Sequence, residues 1–299
     1  MVGRGPDTVV VVGGGPGLTM DYLEPAVQPL TGEVTWILYD PRGRGSSTAI
    51  DDRAPVGLAE DLDDLETIRS RFQLERMVLM GHNWGGAVAA HYAARRPERV
   101  DRLLLVSPYP ISQVFVYGWN LLPRDTTRFR EGALAAAAAT DPAGWTKFCH
   151  AYWFWYFQPV YLPENIDDRV AAKAVCAASS ETLVDPGTYQ RRHLFTSAAH
   201  DWTEAFRSIQ APTLVLEGSP PRSEHRLYQV HAERWAQSIP AARVLLLPGG
   251  ALLPWIANSA GFTIAAREFL TGAYPSSAYL PTPTDSVTAA NPSTPGSNP

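Results

Sequence analysis

The sequence predicts an α/β fold, a mostly parallel sheet flanked by helices with a helical cap inserted into it, and three observations carry that prediction. Short β-branched or leucine-rich runs end in glycines or other turn residues, as buried parallel strands do. Helix-period segments separate these runs, which is the alternation of right-handed βαβ units. Between Ser107 and Arg207 the alternation stops, and helical stretches rich in alanine and aromatic residues take its place.

Taken in order, Thr8 to Val12, Val34 to Tyr39 and Met77 to Met80 read as the first three strands. Before the third, Leu58, Leu62, Leu65, Ile68 and Phe72 recur at helical spacing, with Asp61, Asp63, Asp64 and Glu66 on the other face, so this helix lies on one side of the sheet. Ala87 to Ala94 follows the third strand with small residues that permit close helix–sheet packing, and Arg102 to Val106 is the fourth strand. After the inserted segment, Thr213 to Glu217, Arg226 to Ile239, Arg243 to Leu247 and Ser259 to Leu270 complete the strand and helix alternation. These boundaries assign residues 1–107 and 208–271 to the core and 108–207 to the cap. Beyond Thr271 the composition turns to Pro, Ser, Thr and Ala, so 272–299 is expected to be a flexible or strap-like tail.

Of the 299 residues 45% are hydrophobic, enough for a substantial core, and the net charge of −5 is spread without a basic cluster. That distribution argues against a nucleic-acid partner. The longest apolar runs, such as Ala133 to Ala139 and Ala151 to Phe157, fall far short of the roughly 20 residues that cross a bilayer. No signal core opens the chain, so a cytoplasmic protein without membrane partners, monomeric or homodimeric, is expected. Cys149 and Cys176 sit in helical, apolar surroundings that suit buried, inert thiols, and no metal-ligand spacing is visible. The glycine-rich loop fits neither a dinucleotide fingerprint nor a phosphate loop with lysine, so no cofactor is expected.

Gly81-His82-Asn83-Trp84-Gly85-Gly86 lies after a strand and before a helix, the context of a G-x-S-x-G nucleophile elbow, with Asn83 at the serine position. Gly13-Gly14-Gly15-Pro16-Gly17 follows the first strand, and Asp40-Pro41-Arg42-Gly43-Arg44-Gly45-Ser46-Ser47 follows the second. Together these motifs resemble the proline iminopeptidase group of the α/β-hydrolase superfamily, which carries His-Gly-Gly-Pro-Gly and D-x-R-G-x-G-x-S in those places. The resemblance runs from residue 8 to about 270 and implies an α/β-hydrolase fold with a lid. Unlike the family, the chain opens almost on the first glycine-motif strand, without a leading β-hairpin.

The resemblance also locates the catalytic positions, and none holds its catalytic residue. The acid of G-x-x-D falls on Pro221 within Gly218-Ser219-Pro220-Pro221, and the histidine ahead of Pro254-Trp255 falls on Leu252. With Asn83, Pro221 and Leu252 in those places, serine hydrolysis has no nucleophile, acid or base. What the resemblance leaves is an oxyanion hole of backbone N–H groups from Gly14 or Gly15 and from Trp84, a device worth about 3 to 4 kcal/mol in favourable sites. Asn83 adds a side-chain donor, or is simply a turn residue tolerant of unusual backbone angles. The catalytic candidates are therefore Asn83, Gly14, Gly15 and Trp84.

The cap is dense in aromatics, with Phe115, Tyr117, Trp119, Phe148, Tyr152, Trp153, Phe154, Trp155, Tyr156, Phe157 and Tyr161. They either pack the lid onto the body or line a pocket for a hydrophobic, bulky or polycyclic small molecule. The candidate pocket residues are His82, Tyr109, Trp119, Tyr152, Trp153, Trp155, Tyr156, Leu252 and Trp255. Relocated acid–base groups are sought at His225, Glu224, His200 and Asp201, with Glu217 near the lost acid. Arg42 and Arg44 brace their loop against Asp40 or a neighbouring carboxylate, or bind an anion. Three functions stay open: a non-hydrolytic cyclisation, isomerisation or elimination on a natural-product-like molecule, ligand binding without conversion, and residual hydrolysis by relocated groups.

Overall fold

The predicted apolar runs become six strands: β1 (Asp7–Val12), β2 (Val34–Leu38), β3 (Met77–His82), β4 (Val100–Val106), β5 (Thr213–Ser219) and β6 (Arg243–Pro248). The computed structural model describes residues 1–15, 18–48, 50, 54–112, 200–219, 225–249 and 252–282. The strands form one sheet in the order β2-β1-β3-β4-β5-β6, every neighbouring pair parallel. Strands β3, β5 and β6 run past the apolar stretches because backbone pairing continues through His82, Gly218 and Ser219, opposite Val106, Leu247 and Pro248.

The strand centres are apolar because both faces of the sheet are covered. Alternate residues of β1 divide between them: Val9 and Val11 join Met80, Leu104, Leu214 and Leu216 on one face, and Val10 and Val12 join Leu79, Leu103, Leu105 and Val215 on the other. The first face is closed by α1 (Glu24–Val27), α5 (Pro254–Ala257) and α6 (Ser259–Leu270), the second by α2 (Leu58–Arg71), α3 (Trp84–Arg95) and α4 (His225–Ser238). Each such Val or Leu contributes about 1.5–3 kcal/mol of burial.

The two ends of the inserted segment lie side by side. Ser112 bridges Asp201, and Trp202 N–H donates to the Ile111 carbonyl, so the chain leaves the sheet after β4 and returns to the same place. Residues 113–199, which include most of the predicted cap, lie outside the described residues. At the two flanks of the sheet, Val2 bridges Trp36 and Tyr279 bridges Val244, both antiparallel. Residues 273–282 run back along β6 to do so, Tyr274 taking the Thr213 N–H and donating to the Ala241 carbonyl.

Candidate active site

Gly14, Asn83, Ser107, Glu217 and Leu252 all lie at the carboxyl ends of neighbouring strands, the edge where open parallel sheets bind ligands. The central feature is the turn from β3 to α3. Asn83 has φ 50° and ψ −117°, a backbone conformation well away from the common wells. It persists because three hydrogen bonds fix the peptide: Asn83 N–H donates to the Val106 carbonyl at 3.1 Å, and the Asn83 carbonyl accepts from Gly86 and Tyr109 at 2.9 and 2.8 Å. The glycines of the motif are steric necessities. A Cβ on Gly81 would lie 2.4 Å from the Gly85 carbonyl oxygen, and one on Gly85 would lie 2.1 Å from that of Val12.

A buried polar chain ties two further loops to this turn. Gly14 N–H donates to the Tyr22 hydroxyl at 2.7 Å, Tyr22 Oη lies 2.7 Å from His82 Nδ1, and His82 Nε2 lies 2.9 Å from the Leu252 carbonyl. A carbonyl only accepts, so Nε2 carries the hydrogen and Nδ1 accepts from the Tyr22 O–H. Burial keeps the imidazole neutral by lowering its pKa to about 4, and it pushes the Tyr22 phenol above its ordinary value. Tyr22 gave no signal in the sequence, and it corrects one expectation: the Gly14 N–H is engaged inside the protein, since a buried donor needs a partner. The Gly15 N–H is taken by Asn83 Oδ1 itself, across a long 3.4 Å.

His82 is likewise a core residue with both ring nitrogens engaged, and Trp255, 2% exposed, packs edge-on to it at 4.9 Å and against Phe262. Leu252 is buried, and its carbonyl meets His82 next to the elbow. Trp84 and Tyr109 join a different group, where the inserted segment returns. Their rings are 5.5 Å apart, Trp202 packs on both, and His200 stacks on Trp202 at 4.1 Å. Trp84 Nε1 donates to Asp61 at 2.8 Å and His200 Nε2 meets the Pro110 carbonyl at 2.8 Å. Asp201 turns to Thr203, accepting from its N–H and hydroxyl. Trp119, Tyr152, Trp153, Trp155, Tyr156, Pro221 and Glu224 lie outside the described residues, as does the side chain of His225.

The loop after β2 is internally braced. Asp40 accepts from Met20 N–H and Ser46 N–H, and Arg42 pairs with Asp64, a carboxylate of α2, at 2.7 Å. Glu217 and His231 form a pair missed in the sequence, 3.2 Å apart and 1% and 0% exposed. Its signal was there: His231 shares the inward face of α4 with Tyr228, Ala232 and Trp235. Burial raises the Glu217 carboxyl, against hydrogen bonds from His231 and Ser107. Among the described residues no group of three or more His, Cys, Asp or Glu is placed to hold a metal, and no helix is long and apolar enough to cross a membrane.

With this geometry in hand, residues 7–255 match the alpha/beta hydrolase fold family. The proline iminopeptidase of Lactiplantibacillus plantarum is 24% identical over 268 residues, 88% of this chain and 91% of that protein. A Rhizobium rhizogenes protein named as the carbamate hydrolase RutD is 32% identical over 247 residues, covering 82% and 86%. Of solved structures, an esterase from Thermogutta terrifontis superposes with a TM-score of 0.64 at 22% identity over 92% of each chain. The proline iminopeptidase of Mycobacterium smegmatis does so with a TM-score of 0.65 at 21% identity, over 90% of this chain and 91% of that one. At such identities these structures speak for the fold alone, and the relatives are named as hydrolases.

Proposed function

The chain belongs to the alpha/beta hydrolase fold family, and we propose that it is a member without a serine, acid and histidine triad, acting without hydrolysis. One observation carries this reading: the residue held in the strained elbow conformation is Asn83, whose carboxamide has no ionisable nucleophile. Leu252, beside the elbow, has no proton to exchange, and Pro221 stands at the acid position of the family's motif.

The substrate is a bulky, largely apolar small molecule of natural-product type, and the step a cyclisation, isomerisation or elimination. A shaped, dry site lowers such barriers by orientation, and donors aimed at developing charge add about 3 kcal/mol each in favourable cases. Here Asn83 Oδ1 accepts from Gly15, so the amide NH2 is its remaining hydrogen-bonding group. The 3.4 Å contact is weak, and a ligand oxygen that displaces Asn83 Oδ1 gains the Gly15 N–H.

A second reading, ligand binding without conversion, is favoured by the 2.7 Å bond that engages the Gly14 N–H with Tyr22. One experiment separates the readings. The purified protein and its Asn83→Ala variant are incubated with a metabolite extract from cells lacking the gene, and the compounds are followed by mass spectrometry. A product of unchanged mass, or one lacking a small leaving group, formed at least about tenfold more slowly by Asn83→Ala, is the expected result. A product heavier by one water returns the protein to the hydrolases, and a compound retained unchanged supports the binding reading.

A further inference from the structure

We infer that Ser107, Glu217 and His231 form a buried strut that fixes the backbone around Asn83 and Tyr109, with Glu217 as the positioning residue of the site. This rests on Asn83 being the centre of the site, as proposed above. Val106 takes the Asn83 N–H and Tyr109 gives its N–H to the Asn83 carbonyl, so residues 106–109 bracket the strained peptide from both sides. For the bracket to close, the chain must turn sharply between its two arms, and Ser107 does so at φ 39°, a region that side-chain-bearing residues rarely adopt.

Three contacts hold Ser107 there. Its N–H donates to the Leu216 carbonyl at 2.8 Å, its hydroxyl donates to the Glu217 carboxyl, and Pro108 after it rests on the first turn of α3, where a Cβ on Gly86 would meet Pro108 Cβ at 2.9 Å. Glu217 is fixed in turn by His231 of α4 at 3.2 Å, and Ser107, Glu217 and His231 are all at most 1% exposed. An apolar pair would fill this space at least as stably, so stability alone gives no reason for a buried carboxyl and imidazole here. Their placement gives one: Glu217 bonds Ser107, whose positive φ aligns Tyr109 with Asn83, and His231 bonds Glu217 in turn.

The test reads backbone geometry without any substrate, so failure of the proposed function and failure of the strut are separately visible. Amide hydrogen exchange is measured by NMR at Asn83, Tyr109 and, as a remote reference, Val10, in the intact protein, in Glu217→Leu and in Glu217→Leu combined with Ser107→Gly. Exchange at Tyr109 and Asn83 is expected to rise by about tenfold or more in Glu217→Leu while Val10 is unchanged. The added glycine, which adopts positive φ without help, is expected to restore protection. Unchanged exchange at Tyr109, an equal rise at Val10, or no rescue by glycine overturns the inference. If Glu217→Leu does not fold, Glu217→Gln decides: the His231 imidazole and the Asn83 and Tyr109 amide resonances must shift together, and movement of His231 alone, or of none, overturns it.

Discussion

His82 and His231 are both buried beside the carboxyl ends of the strands, and they are held in opposite ways. His82 lies between a phenol and a carbonyl, where neither neighbour carries charge and the ring stays neutral. His231 faces the Glu217 carboxyl at 3.2 Å. The uncharged chain touches the elbow directly, while Glu217 of the ionisable pair stands two strands further on, in β5. The strained turn at Asn83 and the buried ionisable pair therefore sit at the ends of different strands.

The largest effect expected from breaking this contrast is at the ionisable pair. His231→Leu leaves Glu217 buried without its imidazole and is expected to cost about 3–5 kcal/mol in urea unfolding near neutral pH. Next comes the pH dependence. The folded pKa of His82, about 4 against an ordinary 6.5, is depressed by burial. Its contribution is therefore complete above pH 6.5 and lost as pH falls toward 4, about 3 kcal/mol in all. His91, also lowered to about 4 chiefly by burial, adds with the same sign, so His91→Phe should shallow the acid limb without removing it. Glu217, raised from 4.5, has the opposite sign: its contribution is complete below that value and lost as pH rises through the raised one. A Glu217→Gln variant should abolish that loss and leave the acid limb in place, as stability measured across pH will show.

Smaller effects sharpen the picture of the neutral chain. Tyr22→Phe removes the hydroxyl that joins Gly14 to His82, and is expected to cost about 2 kcal/mol through the buried groups it strands. An intact Tm in that variant would sink the idea of a stabilising chain. Smallest is Asn83→Gly, which relieves the backbone strain at the elbow and should raise stability by about 1 kcal/mol while removing the carboxamide. A loss of stability there would mean that the Asn83 side chain contributes more than its backbone costs.

The fold was legible because each strand is built on an apolar run bounded by turn residues, and α2, α4 and α6 carry inward stripes. Thr8 to Val12 and Leu58 to Phe72 differ from the observed elements by a single residue. The elbow was legible because Gly81 and Gly85 answer to steric demands within a few residues of Asn83. Tyr22 was not, since its bonds to Gly14 and His82 span 8 and 60 residues and no local pattern encodes them. Glu217 reads in the sequence as a titratable group at a strand end, but its partner lies 14 residues on, where only the inward stripe of α4 marks His231 as buried.

The single-residue bridges at Val2 and Tyr279 have a bearing on solubility. An outer strand of a sheet offers unpaired N–H and C=O groups to any other chain, and proteins commonly blunt such rims. Here one rim is met by Val2 on β2 and the other by Tyr279 on β6, each through a reciprocal pair of hydrogen bonds. The Tyr279 strip is anchored further by its hydroxyl to Glu233 and by the Tyr274 ring beneath Arg243. The two strips thus guard the sheet against recruiting further strands, and a chain cut back to Leu270 would keep its core yet present β6 as a template for self-association.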